Sequence, residues 1–132
     1  GAKGMTENEI AKIIVDAAYH LHTDLGPGLL ESVYEAMLSR ELALRGLKVA
    51  RQQPISFEYR GQRFDEGFRV DLMIDDLVIV ELKSVELLHP SHKKQLKTYL
   101  KLTGKRLGLL INFGAPLIKE GIHRVVLGLP ES

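Results

Sequence analysis

Apolar residues return at helical spacing early in the chain. Ile10, Ile13, Ile14, Ala17, Ala18 and Leu21 fall on one helix face. Thr6 and Glu9 ahead of them match a capping box, T-x-x-E, so a first helix is predicted from about Glu7 to Thr23. Gly26, Pro27 and Gly28 punctuate the pattern. A second helix follows from about Leu30 to Leu44, with Leu30, Val33, Tyr34, Met37, Leu38 and Leu44 as its expected apolar face and Gly46 closing it. The period then shortens. "KVARQQPISFEYRG" and "QRFDEGFRVDLMI" read as two strand regions around an Arg60-Gly61 turn, the second bent or bulged near Gly67. Asp75-Asp76 marks the next turn. "LVIVELKSV" is apolar almost throughout, which predicts a central strand covered on both faces. "HPSHKKQLKTYLKLTG" reads as a third helix from Pro90 to Gly104. "RLGLLINFG" reads as a strand and "IHRVVLGL" as a last edge strand. The order α-α-β-β-β-α-β-β predicts an α/β fold with a mixed sheet flanked by helices.

The totals add bounds. A chain of 132 residues suits one domain and can bury a sizeable core. Residues 5–132 are expected to form that domain, and residues 1–4, "GAKG" ahead of Met5, resemble an expression-tag remnant. There is no cysteine, hence no disulfide framework and no thiolate zinc site. No apolar run is long enough to span a membrane and no signal-peptide pattern is read at the start, so a cytoplasmic protein is expected. Net charge is +1 and says little about partners. Its distribution says more, because Lys93, Lys94, Lys97, Lys101, Lys105 and Arg106 crowd one segment.

Polar residues sit where packing alone favours apolar ones. Asp71 lies between Val70 and Leu72, and Glu81 and Lys83 lie in the most apolar strand. Gln95 falls on the apolar side of the third helix, and Glu31 at the edge of the second helix's apolar face. Glu81 and Lys83 point to one face because strand side chains alternate. If the two carboxylate strands are antiparallel neighbours joined by a three-residue loop centred on Asp76, Asp71 falls opposite Glu81. A two-residue loop would shift the pairing by one and separate the faces. Two carboxylates on one face repel unless a cation lies between them. A hard divalent ion, magnesium with manganese as the other choice, would take Asp71, Glu81 and the Leu82 carbonyl. Lys83, one step on, would orient a water and neutralise a phosphate oxygen, which are parts needed for phosphodiester hydrolysis. The plainer reading is a same-face Glu81–Lys83 ion pair.

These residues resemble a known family. Asp71 followed by Glu81-Leu82-Lys83 on the next strand is similar to the D…ExK signature of the PD-(D/E)XK nuclease superfamily. Glu31 resembles its helical acidic residue, and Gln95 with Tyr99 resembles the Q-x-x-x-Y motif of RecB-type members. The order α-β-β-β-α-β is similar to the superfamily's restriction-endonuclease-like core, to which this chain adds an N-terminal helix. "GLLE" at Gly28–Glu31, with "ELKSV" and "INFG", resembles more narrowly the small GxxExxxxY proteins. Val70 stands where the signature has proline, and Ala36 where the group's name places a tyrosine, with Tyr34 nearby.

The resemblance implies a magnesium-dependent nuclease acting on DNA, with Asp71, Glu81, Lys83 and Gln95 in the catalytic centre. Asp71, Glu81 and Glu31 are the metal-ligand candidates. Lys83, Gln95, Tyr99 and Lys93 are the candidates for touching substrate. Other readings stand beside these. Tyr99 also suits a core face. Glu31 suits a first helical turn regardless of function, and Glu35 reads as solvated. Lys93, Lys97 and Lys101 form a stripe that suits an outer face as well as phosphate contact. A catalytically inactive nucleic-acid-binding or protein-interaction module is the alternative function. A homodimer is expected from the resemblance, with the first helix as the extra packing surface.

Overall fold

In the computed structural model, residues 4–130 are described, so the first three residues of the expected tag remnant lie outside them. Helix α1 spans Glu7–Leu25 and α2 spans Glu31–Leu44. Strands β1 (Val49–Tyr59), β2 (Gln62–Ile74) and β3 (Val78–Lys83) follow, then α3 (Pro90–Thr103), β4 (Leu107–Asn112), the one-turn α4 (Ile118–Gly121) and β5 (Ile122–Val126). The sheet has five strands in the order β1-β2-β3-β4-β5. Among the described residues only β3 and β4 run parallel. The expected α/β mixed sheet with an added N-terminal helix is thus observed.

Helix α1 begins at the capping box, with Thr6 Oγ1 accepting from Glu9 N–H and Glu9 Oε1 accepting from Thr6 N–H. Helix α3 ends on Gly104, whose φ of 74° lies in the left-handed region. The sheet separates two cores. On one side Ile10, Ile14, Tyr34, Leu38 and Leu42 from α1 and α2 meet Leu72, Val78, Val80 and Leu82. On the other, Leu96 and Leu100 of α3 meet Val70, Met73, Ile79 and Leu110. Strand β3 is therefore covered on both faces, each large apolar side chain contributing roughly 1.5–3 kcal/mol.

The α2 face differs from the one expected. Tyr34, Glu35, Leu38, Ser39 and Leu42 turn inward, while Leu30, Val33, Met37 and Leu44 are exposed. Two apolar stripes overlap on this helix, and the one carrying Tyr34 meets the core. Tyr34 stacks on Phe113 with ring centroids 4.4 Å apart. Its hydroxyl donates to the Gly26 carbonyl (2.5 Å) and accepts from Leu29 N–H (3.3 Å). Ser84 Oγ donates to the Leu29 carbonyl (2.5 Å), which holds the start of α2 beside the end of β3.

The bulge near Gly67 is present. Pairing steps from Ile55↔Phe68 to Phe57↔Phe64, so the extra residues lie on β2. A Cβ at Gly67 would stand 2.6 Å from the Phe57 ring. "INFG" has a structural task. Asn112 accepts from Val85 and Gly114 N–H and donates to the Val85 carbonyl, fastening the exit of β3 to β4.

Candidate active site

The β2–β3 loop fixes the site. Ile74 pairs with Val78, which leaves a three-residue loop at 75–77, with Asp75 and Asp76 both at positive φ. Pairing runs through Leu72↔Val80, and one step further Asp71 falls opposite Glu81. There the side chains replace the ladder. Asp71 N–H donates to Glu81 Oε2 (2.7 Å), and Leu82 N–H donates to Asp71 Oδ2 (2.8 Å). Each carboxylate is thus held by the backbone of the opposite strand.

Glu81 is only 7% exposed. Burial first, and then the negative charge of Asp71, raise its pKa from 4.5 to about 7, against the opposing effects of the Asp71 N–H and Lys83. Its Oε1 accepts no hydrogen bond from a described residue. Lys83 is half-buried and makes no ion pair or hydrogen bond through its ammonium with a described residue, so the plain Glu81–Lys83 pair is not formed. Its charge still acts on both Glu81 and His92.

A recess of about 350 Å³ opens beside Asp71, lined by Glu31, Ser32, Glu35, Gln52, Asp71 and Leu82. Glu31 stands there exposed, on the first turn of α2. Glu35 corrects an expectation: it is 7% exposed rather than solvated. Arg51 pairs with its Oε2 (3.1 Å), and Gln52 Nε2 donates to its Oε1 (2.6 Å). The same Gln52 nitrogen donates to Asp71 Oδ1 (3.1 Å). Glu35 and Gln52 escaped the sequence reading. The only signal for Glu35 was its place one turn after Glu31, and nothing local marked Gln52.

Gln95 also corrects an expectation, since it is exposed rather than on the apolar side of α3. It makes no hydrogen bond to either carboxylate, because Leu96 and Leu100 take the inward positions. It does lie between His92 and Tyr99 on one strip of the helix. Burial, then Lys83 and His89, lower the pKa of His92, with Glu31 opposing; its Nδ1 is buried without a hydrogen-bond partner among the described residues. Burial, then Glu81 and Asp71, raise the pKa of Tyr99. Tyr99 stacks on Phe68 with centroids 4.0 Å apart, so it packs while still feeling the charge of the carboxylates. Lys93 lines a separate groove with His89, Asn112 and His123, while Lys97 and Lys101 are solvated.

A larger groove of about 960 Å³ runs beside α1, but Asp16 on its wall is paired with Arg45, and no carboxylate pair converges there. Among the described residues, no group of three or more His, Asp and Glu side chains is arranged to hold a metal ion alone. Two carboxylates with an open Glu81 oxygen nonetheless fit a hard cation that keeps water in its remaining positions.

No curated protein and no solved structure shows significant similarity to the chain. The family model described as the PD-(D/E)XK nuclease superfamily matches residues 8–125, a span that contains both carboxylates, Lys83 and all of α3. Members of that superfamily generally use divalent metal ions, and their substrates are nucleic acids. With a match over nearly its whole length, the chain belongs to the PD-(D/E)XK nuclease superfamily.

Proposed function

We propose that this chain is a magnesium-dependent nuclease that hydrolyses phosphodiester bonds of DNA, with manganese as a substitute ion. The observation that carries the reading is the pair of Asp71 and Glu81 carboxyls held side by side, next to a Lys83 ammonium with no hydrogen-bond or ion-pair partner among the described residues. Asp71 and Glu81 would hold the ion, with Glu31 at the mouth of the recess, and the ion would supply Lewis acidity toward a phosphoryl oxygen. Lys83 donates hydrogen bonds to the attacking water and to a non-bridging phosphate oxygen, offsetting the charge that develops there. Gln95 and Tyr99 flank the nucleic acid from α3. The narrower likeness to the GxxExxxxY proteins belongs to this proposal, as does a cytoplasmic location.

A homodimer belongs to it too. Most of the apolar face of α1 is spent on the protein's own core, so the exposed Leu30, Val33, Met37 and Leu44 on α2 offer the better contact. Sedimentation showing only monomer at micromolar concentration would remove that part.

The test is cleavage of single-stranded, duplex and branched DNA with magnesium and with chelator, for the parent and Lys83→Met. Magnesium-dependent cleavage lost in Lys83→Met supports the reading. DNA binding without cleavage, together with a melting temperature indifferent to magnesium, favours the inactive binding module instead.

A further inference from the structure

Strand β1 contains an irregularity opposite the site. Arg51 pairs with Leu72 and Gln53 with Val70, but Gln52 between them drops out of the ladder. Its φ is 49°, in the left-handed region that glutamine rarely occupies. An uncommon backbone at one residue between two laddered neighbours asks what its side chain gains. Here the gain is visible. The Gln52 amide donates to Glu35 Oε1 (2.6 Å) and to Asp71 Oδ1 (3.1 Å). An amide nitrogen carries two hydrogens, so both contacts are made as a donor, and two carboxylate acceptors leave no other orientation for the group.

The contacts form a chain. Arg51 fixes Glu35 by charge, and Glu35 fixes one hydrogen of Gln52. Gln52 then fixes Oδ1 of Asp71, and Leu82 N–H fixes Oδ2. Arg51 and Gln52 come from β1, Glu35 from α2, Asp71 from β2 and Leu82 from β3. Four elements thus determine the orientation of one carboxylate. Gln52 also places two acidic side chains on one neutral donor, which holds them at a set spacing without neutralising either.

Resting on the nuclease reading, we propose that Gln52 is a positioning residue for Asp71. It holds the carboxylate in the orientation needed for the ion, and Glu35 is the anchor of Gln52 rather than a ligand. This divides the two acids that α2 brings to the recess. Glu31 is open to solvent at the recess, while both oxygens of Glu35 are already engaged. Outer partners of this kind fix ligand geometry, and their removal lowers metal affinity roughly 10–100-fold.

Two variants test the idea. Gln52→Gly removes the amide and suits the left-handed backbone. Gln52→Met keeps the length of the side chain and removes both donors. Without metal, the backbone amide of Leu82 should shift in an NMR spectrum and exchange faster with solvent in both variants, because its acceptor Asp71 is freed on one side. Gln52→Gly should melt no lower than the parent, since strain relief offsets the lost bonds. Magnesium affinity measured by calorimetry should fall by roughly 10–100-fold in both, and kcat should fall while KM for DNA holds. An unchanged Leu82 amide with unchanged magnesium affinity overturns the proposal. Loss of the fold in both variants also overturns it, assigning Gln52 to stability. A parent with no magnesium affinity overturns the nuclease reading, and the Leu82 amide in metal-free protein then still decides whether Gln52 orients Asp71.

Discussion

Glu7 and Glu81 each leave 7% of their surface exposed, Glu81 lying the deeper of the two, and are held in opposite ways. Glu7, at the start of α1, meets Arg106 through two hydrogen bonds of 2.8 and 3.1 Å. That guanidinium holds its carboxyl below the usual range, against the effect of burial. Glu81 has a lysine two residues away on the same strand face, yet no ion pair forms, and its pKa is pushed up to about 7. The fold can pair a buried glutamate with a cation, and does so 99 residues away in sequence. At Glu81 it sets a second carboxylate alongside instead. A buried charge left unbalanced costs stability, and the arrangement fits the cation proposed to bind there.

The widest separation between the two places should come from removing their cations. Lys83→Met should lower DNA cleavage by about 10²–10³-fold, the usual loss for one transition-state donor, while moving the melting temperature little. Arg106→Met should leave cleavage intact and lower the melting temperature, because Glu7 loses the guanidinium that holds it. Activity assays and thermal melts on both variants check this, and equal destabilisation would erase the contrast.

Next in size is the effect of neutralising Glu81. The unfolded glutamate ionises near 4.5, while in the fold it holds its proton to about 7. Stability from this group is therefore present below pH 4.5 and lost as pH rises to about 7. A shift of this size corresponds to roughly 3 kcal/mol at most. Metal-free Glu81→Gln should melt several degrees above the parent at pH 8 and show no gain near pH 4. Glu7→Gln should run the other way: its pKa is lowered, so it stabilises above pH 4.5 and the benefit fades as pH falls. Melting curves across pH 4–8 for both variants should therefore diverge in sign.

A smaller effect sharpens the same point. Magnesium should raise the melting temperature of the parent by offsetting the Asp71–Glu81 repulsion, and Asp71→Asn should abolish most of that rise. Calorimetry on this variant checks it directly, and an undiminished rise would place the ion elsewhere.

Much of this was legible in the chain. Asp75-Asp76 marked a turn, and a three-residue loop there was enough to set Asp71 opposite Glu81. Gly67 marked the bulge because nothing larger fits against Phe57. Other features depend on distant contacts. The apolar stripe through Leu30, Val33 and Met37 is as regular as the one through Tyr34 and Leu38, and only the sheet decides which is buried. Glu35 looked solvated because its partners Arg51 and Gln52 come from another element. Gln52 itself was silent, since a glutamine with φ of 49° carries no turn signal.

The bulge at Gly67 has one more consequence. Beyond it, Phe57↔Phe64, Glu58↔Arg63 and Tyr59↔Gln62 pair only with one another, and Tyr59 and Phe64 are exposed. β3 reaches only the other end of β2, from Leu72 to Ile74. The tip is thus a short ribbon with one hydrogen-bonded neighbour per strand and little buried apolar surface. Its backbone protons should exchange with water through small local openings, whereas those of β3 and β4, paired on both sides, wait for global unfolding. The slower opening should begin where β3 joins, and Asp71 should share it because its backbone and carboxylate are tied to Glu81 and Leu82. The ribbon should therefore open and close many times without the two carboxylates leaving one another.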